Sequence, residues 1–349
     1  MPVKVGVLGF AHGHVHAYCA QWQQRVEDQI EFVAGWDHNP ARLAQNAERY
    51  AIQPYAAVEE FLAHPGLQAV VIAAETSLHA DLVEEAAAAG KIIALQKPIA
   101  LTLAEADRIV AAVERHAVPF TMAWQMRVDP QNIQIKELLD SGLLGKISML
   151  RRRHGLPAQQ WDIPSLWHFD PALNRDIWAD DSAHPIDFIH WLLGVPESVT
   201  AEIWTHLIPN DHGVALFRYA NGVMAEVTCS FTCLAAENTT EVIGLNGSIV
   251  QNYGDVPSCN VPRPADAPGL KWYTGEKKAW TISDIPSPTN HSARIAALAA
   301  PLADFFHGRR PPIASAEEGR TSLRMTLACY LSSREGRRVA LEDERIAKI

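Results

Sequence analysis

Cysteine is scarce in this chain: five residues (Cys19, Cys229, Cys233, Cys259 and Cys329) in 349, with no Cys-x-x-Cys among them. That spacing gives neither a disulfide framework nor a zinc ribbon nor a redox pair, and the thiols read as buried and reduced. Positive charge is also in short supply. Thirty Lys and Arg face forty Asp and Glu, a formal net charge of −10. Such a balance argues against nucleic acid or an anionic membrane as partner. The one basic run, Arg151-Arg152-Arg153, is flanked by apolar residues and reads as part of a strand. No apolar run approaches the length of a membrane span. Val5-Gly6-Val7-Leu8 is too short for the h-region of a signal peptide, so the cytoplasm is the expected location. Internal repeats and low-complexity tracts are missing as well. What remains, with 48% hydrophobic and 20% charged residues, is a globular chain long enough for two domains.

The first third alternates strand and helix. Val3–Leu8 is a short apolar strand that runs into Gly9-Phe10-Ala11-His12-Gly13-His14 and a helix reaching about Arg25. Strand, glycine turn and helix form the unit whose backbone N–H groups face a pyrophosphate. The match to G-x-G-x-x-G is imperfect, since Ala11 and His14 replace the second and third glycines. A second strand, Glu31–Trp36, ends on Asp37, at the spacing where an acid binds the ribose 2′-hydroxyl. Asp37 would repel a 2′-phosphate, which favours NAD, while Arg42 on the next helix leaves NADP admissible. Strands at Ala69–Ala73, Ile92–Leu95 and Pro119–Ala123 follow, separated by helices over Leu78–Ala89 and Leu103–Arg115. Thr102 and Glu105 form a capping box for the latter. Alternation of this kind predicts a doubly wound parallel sheet over residues 1–123, a Rossmann dinucleotide-binding domain in an α/β protein.

The strand Ile92–Leu95 delivers Gln96-Lys97-Pro98 to the sheet's carboxyl rim, where ligands bind in open α/β sheets. Pro98 keeps the residue before it extended. His12, His14 and His16 alternate after the first strand, a pattern shared with metal-dependent amidohydrolase barrels. Those barrels also need histidines and an aspartate at later strand ends, whereas the strands here end at Asp37, Glu75 and Lys97. The histidines are therefore read as lining the cofactor turn, with no metal.

Residues 124–349 have a different texture. Strands are expected at Ile147–Arg153, Ser198–Trp204, Val214–Tyr219, Val223–Phe231, Glu241–Leu245 and Ser248–Gln251, with Asn221-Gly222 and Asn246-Gly247 as hairpin turns. Helices are expected over Gln131–Leu139, Ser292–Phe306 and Ala316–Ser333. This half reads as an α+β domain built on a mostly antiparallel open sheet, binding substrate on one side and associating with other copies through its bare face. Its chemically loaded stretch is Asp180-Asp181-Ser182-Ala183-His184-Pro185-Ile186-Asp187. Pro185 is tolerable in the first turn of a helix, so Asp181 or Ser182 is the N-cap and His184 lies at the positive helix end. Asp187, three residues on, is placed to orient His184.

Taken in order, these motifs resemble the glucose–fructose oxidoreductase / inositol dehydrogenase / MocA (Gfo/Idh/MocA) family over nearly the whole chain. The resemblance rests on the glycine turn, Asp37, the exit Ala73-Ala74-Glu75-Thr76-Ser77-Leu78-His79, Gln96-Lys97-Pro98, the Trp124–Asp129 segment, and Asp180-x-x-x-His184-x-x-Asp187. Ser315–Arg320 and Ser333–Val339 add to it. It implies hydride transfer between nicotinamide and a carbinol carbon of a sugar, cyclitol or related polyol. Lys97, Asp180 and His184 would be catalytic. Ala74, Thr76, His79, Gln96 and Lys97 would join the glycine turn at the cofactor, and Arg127, Trp167 and His168 would join the catalytic three at the substrate. It also implies a homodimer or homotetramer. Within the same resemblance stand NAD-dependent glycoside cleavage through transient oxidation and a non-catalytic NAD-binding sensor. Three departures stand out: Gln96 where the family has Glu, Ala74-Glu75-Thr76 for Thr-Pro-Asn, and Asn174-Arg175-Asp176 for a glycine run. Trp161, Trp167 and Trp178 suit either sugar stacking or core packing.

Overall fold

The computed structural model describes residues 1–157, 167–235, 238–252 and 267–349. Trp161 lies outside them, as do residues 253–266, which include Cys259. The chain divides into two compact units: Met1–Gln125 with Ala172–Asn174 and Ser292–Leu323, and Met126–Pro171 with Arg175–His291 and Arg324–Ile349.

The first unit is a six-stranded parallel sheet in the order β3-β2-β1-β4-β5-β6, formed by Val3–Leu8, Ile30–Trp36, Gln53–Tyr55, Ala69–Ile72, Ile92–Leu95 and Phe120–Met122 in chain order. The chain passes from β1 outward to β3, then returns to β4 on the other side of β1, so the order reverses between β1 and β4. Helices α1 (His14–Gln24), α2 (Pro40–Tyr50), α3 (Val58–Leu62), α4 (His79–Ala88) and α5 (Leu103–His116) supply the crossovers. Every residue of β4 is buried, as expected of a strand covered on both faces. Asn39 caps α2 ahead of Pro40, and the Thr102–Glu105 capping box starts α5. Strand β3 escaped the sequence reading because it has three residues, a proline among them, at a sheet edge. The opposite edge, β6, is closed from far along the chain. Ala314 accepts from the Met122 N–H at 2.9 Å, and Thr121 Oγ1 accepts from the Ile313 N–H at 2.8 Å. Trp22 of α1 likewise donates to the Ala299 carbonyl at 2.9 Å. Those bonds explain why a C-terminal stretch belongs to the N-terminal unit.

The second unit carries a nine-stranded sheet, β14-β13-β12-β11-β7-β10-β9-β8-β15. Its strands are β7 (Ile147–Gly155), β8 (Ser198–Trp204), β9 (His212–Arg218), β10 (Met224–Ser230), β11 (Asn238–Gly244), β12 (Gly247–Gln251), β13 (Leu270–Thr274), β14 (Trp280–Ile282) and β15 (Val339–Ala340). Only β7 and β10 pair in parallel; the other neighbours are antiparallel. Helix α6 (Pro130–Asp140) is capped by Asp129. The helix Ala183–Leu193 packs on β7 and β10. Alternation along β7 buries Leu150, Arg152 and His154 and leaves Arg151 and Arg153 less covered. Arg151 bridges Glu226 and Glu241 on the strands either side at 3.3 and 3.2 Å. The helix expected over Ser292–Phe306 is two helices, His291–Ala296 and Ala299–Phe306. No helix among the described residues is long and apolar enough to cross a membrane.

Candidate functional site

In the first unit the candidate residues gather where strands end. Gly9 follows β1 with φ +83°, and a Cβ there would stand 2.4 Å from Ala74 Cα. Only glycine fits both the backbone and the space. The Gly9 N–H bonds the Trp36 carbonyl at 2.7 Å and the His12 N–H bonds that of Ala73 at 2.9 Å. The turn is thus held across β2, β1 and β4. Gly13 caps α1, has nothing within 4 Å of where its Cβ would be, and no acid occupies the helix's first turn. Open space at a helix N-terminus without a competing carboxylate suits a pyrophosphate. His12 and His14 meet edge to face with ring centroids 4.3 Å apart. His16 turns to Tyr50, Nδ1 to hydroxyl 2.8 Å.

Asp37, just past β2, is 3% exposed and heavily engaged. Oδ2 accepts from the Phe10 N–H at 2.8 Å and Oδ1 from the Asn39 N–H at 2.8 Å. Arg42 adds a fork to both oxygens, Nε at 2.7 Å and Nη2 at 2.9 Å, and donates from Nη2 to Glu75 Oε1 at 2.8 Å. Burial works against the charged guanidinium, but its bonds to Asp37 and Glu75 outweigh this and hold the Arg42 pKa above its ordinary value. Glu75, passed over in the sequence except as a departure, is therefore part of this cluster. Its signal was an acid at the exit of a buried strand.

Other candidates on this rim are enclosed. Thr76 donates to Asn174 Oδ1 at 2.5 Å. His79 is fully buried, with Nδ1 3.0 Å from the Pro98 carbonyl and Nε2 3.3 Å from that of Ala74. Its ring therefore ties the exits of β4 and β5 together. Gln96 is fully buried and donates to the Tyr18 hydroxyl at 2.7 Å. Lys97 follows at the end of β5, 2% exposed, and its bond to Pro98 is cis.

In the second unit a short helix, Ile177–Asp181, runs directly into Ala183–Leu193. Asp180 thus lies inside a helical turn, not ahead of one, and Ser182 joins the two helices in αR conformation without a side-chain cap bond. His184 occupies the first turn of the second helix, as its neighbouring proline required. Nε2 of His184 lies 3.7 Å from Asp181 Oδ1. Asp187, expected to orient that histidine, instead carries a bidentate pair with Arg127, both bonds 2.8 Å and both side chains buried. Helical side chains lean toward the N-terminus, so His184 meets the acid three residues before it. Arg127, expected at a substrate, thereby directs Nε and Nη2 to a carboxylate of its own unit. His154 of β7 joins this cluster: its ring is 5.6 Å from that of His184, and Nε2 is 3.8 Å from Asp181. Asn238 Oδ1 accepts from His154 Nδ1 at 2.8 Å. Trp178 is core, 1% exposed, whereas Trp167 is partly exposed and stacks on His168 at 4.1 Å.

Residues 3–123 match the family described as an oxidoreductase family with an NAD-binding Rossmann fold, and residues 132–250 match the GFO/IDH/MocA C-terminal domain. The chain belongs to the Gfo/Idh/MocA family. An uncharacterized oxidoreductase of Synechocystis sp. is 26% identical over 208 residues, 58% of this chain and 54% of that protein's length. D-apiose dehydrogenase of Paraburkholderia graminis is 27% identical over 353 residues, 97% of this chain and 89% of the relative. Among solved structures, levoglucosan dehydrogenase in complex with NADH and levoglucosan superposes with a TM-score of 0.82 at 21% identity, covering 98% of this chain and all of that one. Distant relatives of this chain thus include sugar dehydrogenases, and the parallel sheet with its glycine turn is the family's NAD-binding Rossmann fold.

Proposed function

We propose that this Gfo/Idh/MocA protein is an NAD-dependent dehydrogenase that oxidises a carbinol carbon of a sugar, cyclitol or related polyol. The observation that carries the reading is the placement of Gly9, Asp37 and Lys97 at the carboxyl ends of β1, β2 and β5 of one parallel sheet. Bound NAD would supply the hydride acceptor. The chain's own residues would manage the proton and the charge. His184 takes the substrate hydroxyl proton, and Asp181, 3.7 Å from its Nε2, stabilises the imidazolium that results. Lys97 stabilises the developing alkoxide, and Asp180 positions the hydroxyl. Hydride departs only as the oxygen loses its proton, so a base and a cation serve the same step. Trp167 and His168 would present a sugar-facing surface.

The test is a screen of sugars, cyclitols and glycosides with NAD on cofactor-stripped protein, with Lys97→Ala alongside. The reading expects steady NADH production on some polyol, and a variant that loses most of its turnover. Unchanged turnover in the variant would remove the role given to Lys97. Release of an aglycone without net NADH would move the assignment to glycoside cleavage.

A further inference from the structure

A nearby arginine is the usual device by which a dinucleotide fold accepts a 2′-phosphate in place of an acid at the end of β2. This chain has both, five residues apart, and a third residue arbitrates between them. Arg42 is partly exposed, yet its fork is closed on Asp37 at 2.7 and 2.9 Å and its Nη2 is shared with Glu75 at 2.8 Å. Two carboxylates and one guanidinium sum to a single negative charge. His38, about half exposed, sits with Nδ1 3.5 Å from Glu75 Oε2 and 3.8 Å from Asp37 Oδ1. Glu75 is 3% exposed, and its second oxygen, Oε2, is buried without a hydrogen bond. A carboxylate oxygen in that state is satisfied by a hydroxyl, which donates, and is repelled by a phosphate, which cannot.

We propose that Glu75 sets cofactor choice in this protein: by holding Arg42 to Asp37 and keeping the cluster negative, it commits the site to a ribose with a free 2′-hydroxyl and against a 2′-phosphate. The proposal rests on the dinucleotide reading above and adds a residue to it. Without the Glu75 charge, Nη2 of Arg42 keeps its bond to Asp37 but loses the one to Glu75, freeing one N–H of the guanidinium, and the cluster becomes neutral. The arginine then has a donor to offer a phosphate.

The experiment is a pair of titrations, NADH and NADPH, of cofactor-stripped protein, read by energy transfer from tryptophan to nicotinamide. Wild type, Glu75→Gln, Glu75→Ser and Glu75→Gln with Arg42→Ala are compared, and the single variants whose thermal midpoint matches wild type are interpreted. Wild type binds NADH more tightly than NADPH. Loss of the Glu75 charge strengthens NADPH binding on the order of tenfold, the size of one charged hydrogen bond, with a smaller change for NADH. Adding Arg42→Ala removes the gain. An unchanged NADH-to-NADPH preference in the folded Glu75 variants overturns the proposal, as does a gain that survives without Arg42. Wild type that binds neither dinucleotide overturns the dinucleotide reading itself, a result distinct from either.

Discussion

Gln96 donates from Nε2 to the phenolic oxygen of Tyr18 at 2.7 Å, and neither side chain has solvent exposure. The bond fastens the residue before Lys97 to helix α1, so the strand end and the helix that follows the glycine turn share one polar contact. Burial, with the neighbouring Cys19 adding to it, pushes the Tyr18 phenol well above its ordinary pKa, against a smaller lowering from Gln96. The hydroxyl is therefore neutral at any working pH. Tyr18→Phe leaves the buried Gln96 amide without this acceptor, which costs about 1–3 kcal/mol. The urea midpoint should fall accordingly, and Gln96→Leu added to Tyr18→Phe should cost less than the two single losses summed. A Tyr18→Phe midpoint equal to wild type would mean the bond contributes nothing.

Much of this was legible in the sequence, and what was not has identifiable causes. Strands β1, β2, β4 and β5 announce themselves as apolar runs that end in a glycine, an acid or a lysine. Strand β3, the edge strand β14 and its neighbour β13 were missed because strands of three to five residues carry little apolar signal. Asp37 was legible as an acid at a strand end, but its fork with Arg42 was not, because side-chain pairing across a loop depends on rotamers that spacing does not encode. Glu75 looked like a family departure until the fold put it beside Arg42. At the histidine, sequence offered two acids at three-residue spacing, Asp181 and Asp187. Choosing between them needed the helix direction and the position of Arg127, which comes from another element altogether.

The Arg127–Asp187 pair predicts an asymmetric response to mutation. Its side chains are 3% and 0% exposed and its two bonds are 2.8 Å each. Removing the carboxylate takes both 2.8 Å bonds from a buried guanidinium, so Asp187→Ala should destabilise the second unit by about 3–5 kcal/mol. Replacing both, as Arg127→Met with Asp187→Leu, should recover most of that loss. Chemical unfolding of the three variants decides it. A double variant as unstable as the single one would show that the pair is held by more than mutual neutralisation.

His16 predicts a pH dependence. Burial, helped by the charge of Arg49, lowers its pKa below the ordinary 6.5. The unfolded chain then binds the proton more readily than the folded one. The stability contribution is complete above about 6.5 and is lost as pH falls through the lower folded value. Wild type should therefore lose more thermal stability between pH 7.5 and 5.5 than His16→Gln, which has no proton to gain. Parallel pH profiles for the two proteins would sink the idea.

Arg175 offers a test of what a left-handed backbone costs at this point in the chain. It sits at φ +65°, in the left-handed region, directly before Asp176, which caps the helix Ile177–Asp181 through the Ala179 N–H at 3.0 Å. Its guanidinium lies 5.7 Å over the Tyr330 ring and donates to the Ile349 carbonyl at 2.9 Å. The side chain's contacts thus offset a backbone that an L-residue adopts at a cost of about 1 kcal/mol. Arg175→Ala loses the contacts and keeps the strain, whereas Arg175→Gly loses the contacts and relieves it. The glycine variant should therefore be the more stable of the two by about 1 kcal/mol, reversing the order found at ordinary helix positions. Thermal unfolding of both reads this directly. Alanine equal to or above glycine would mean that the backbone relaxes out of the left-handed region once the side chain is gone, and that the polar contacts, not the turn, hold it there.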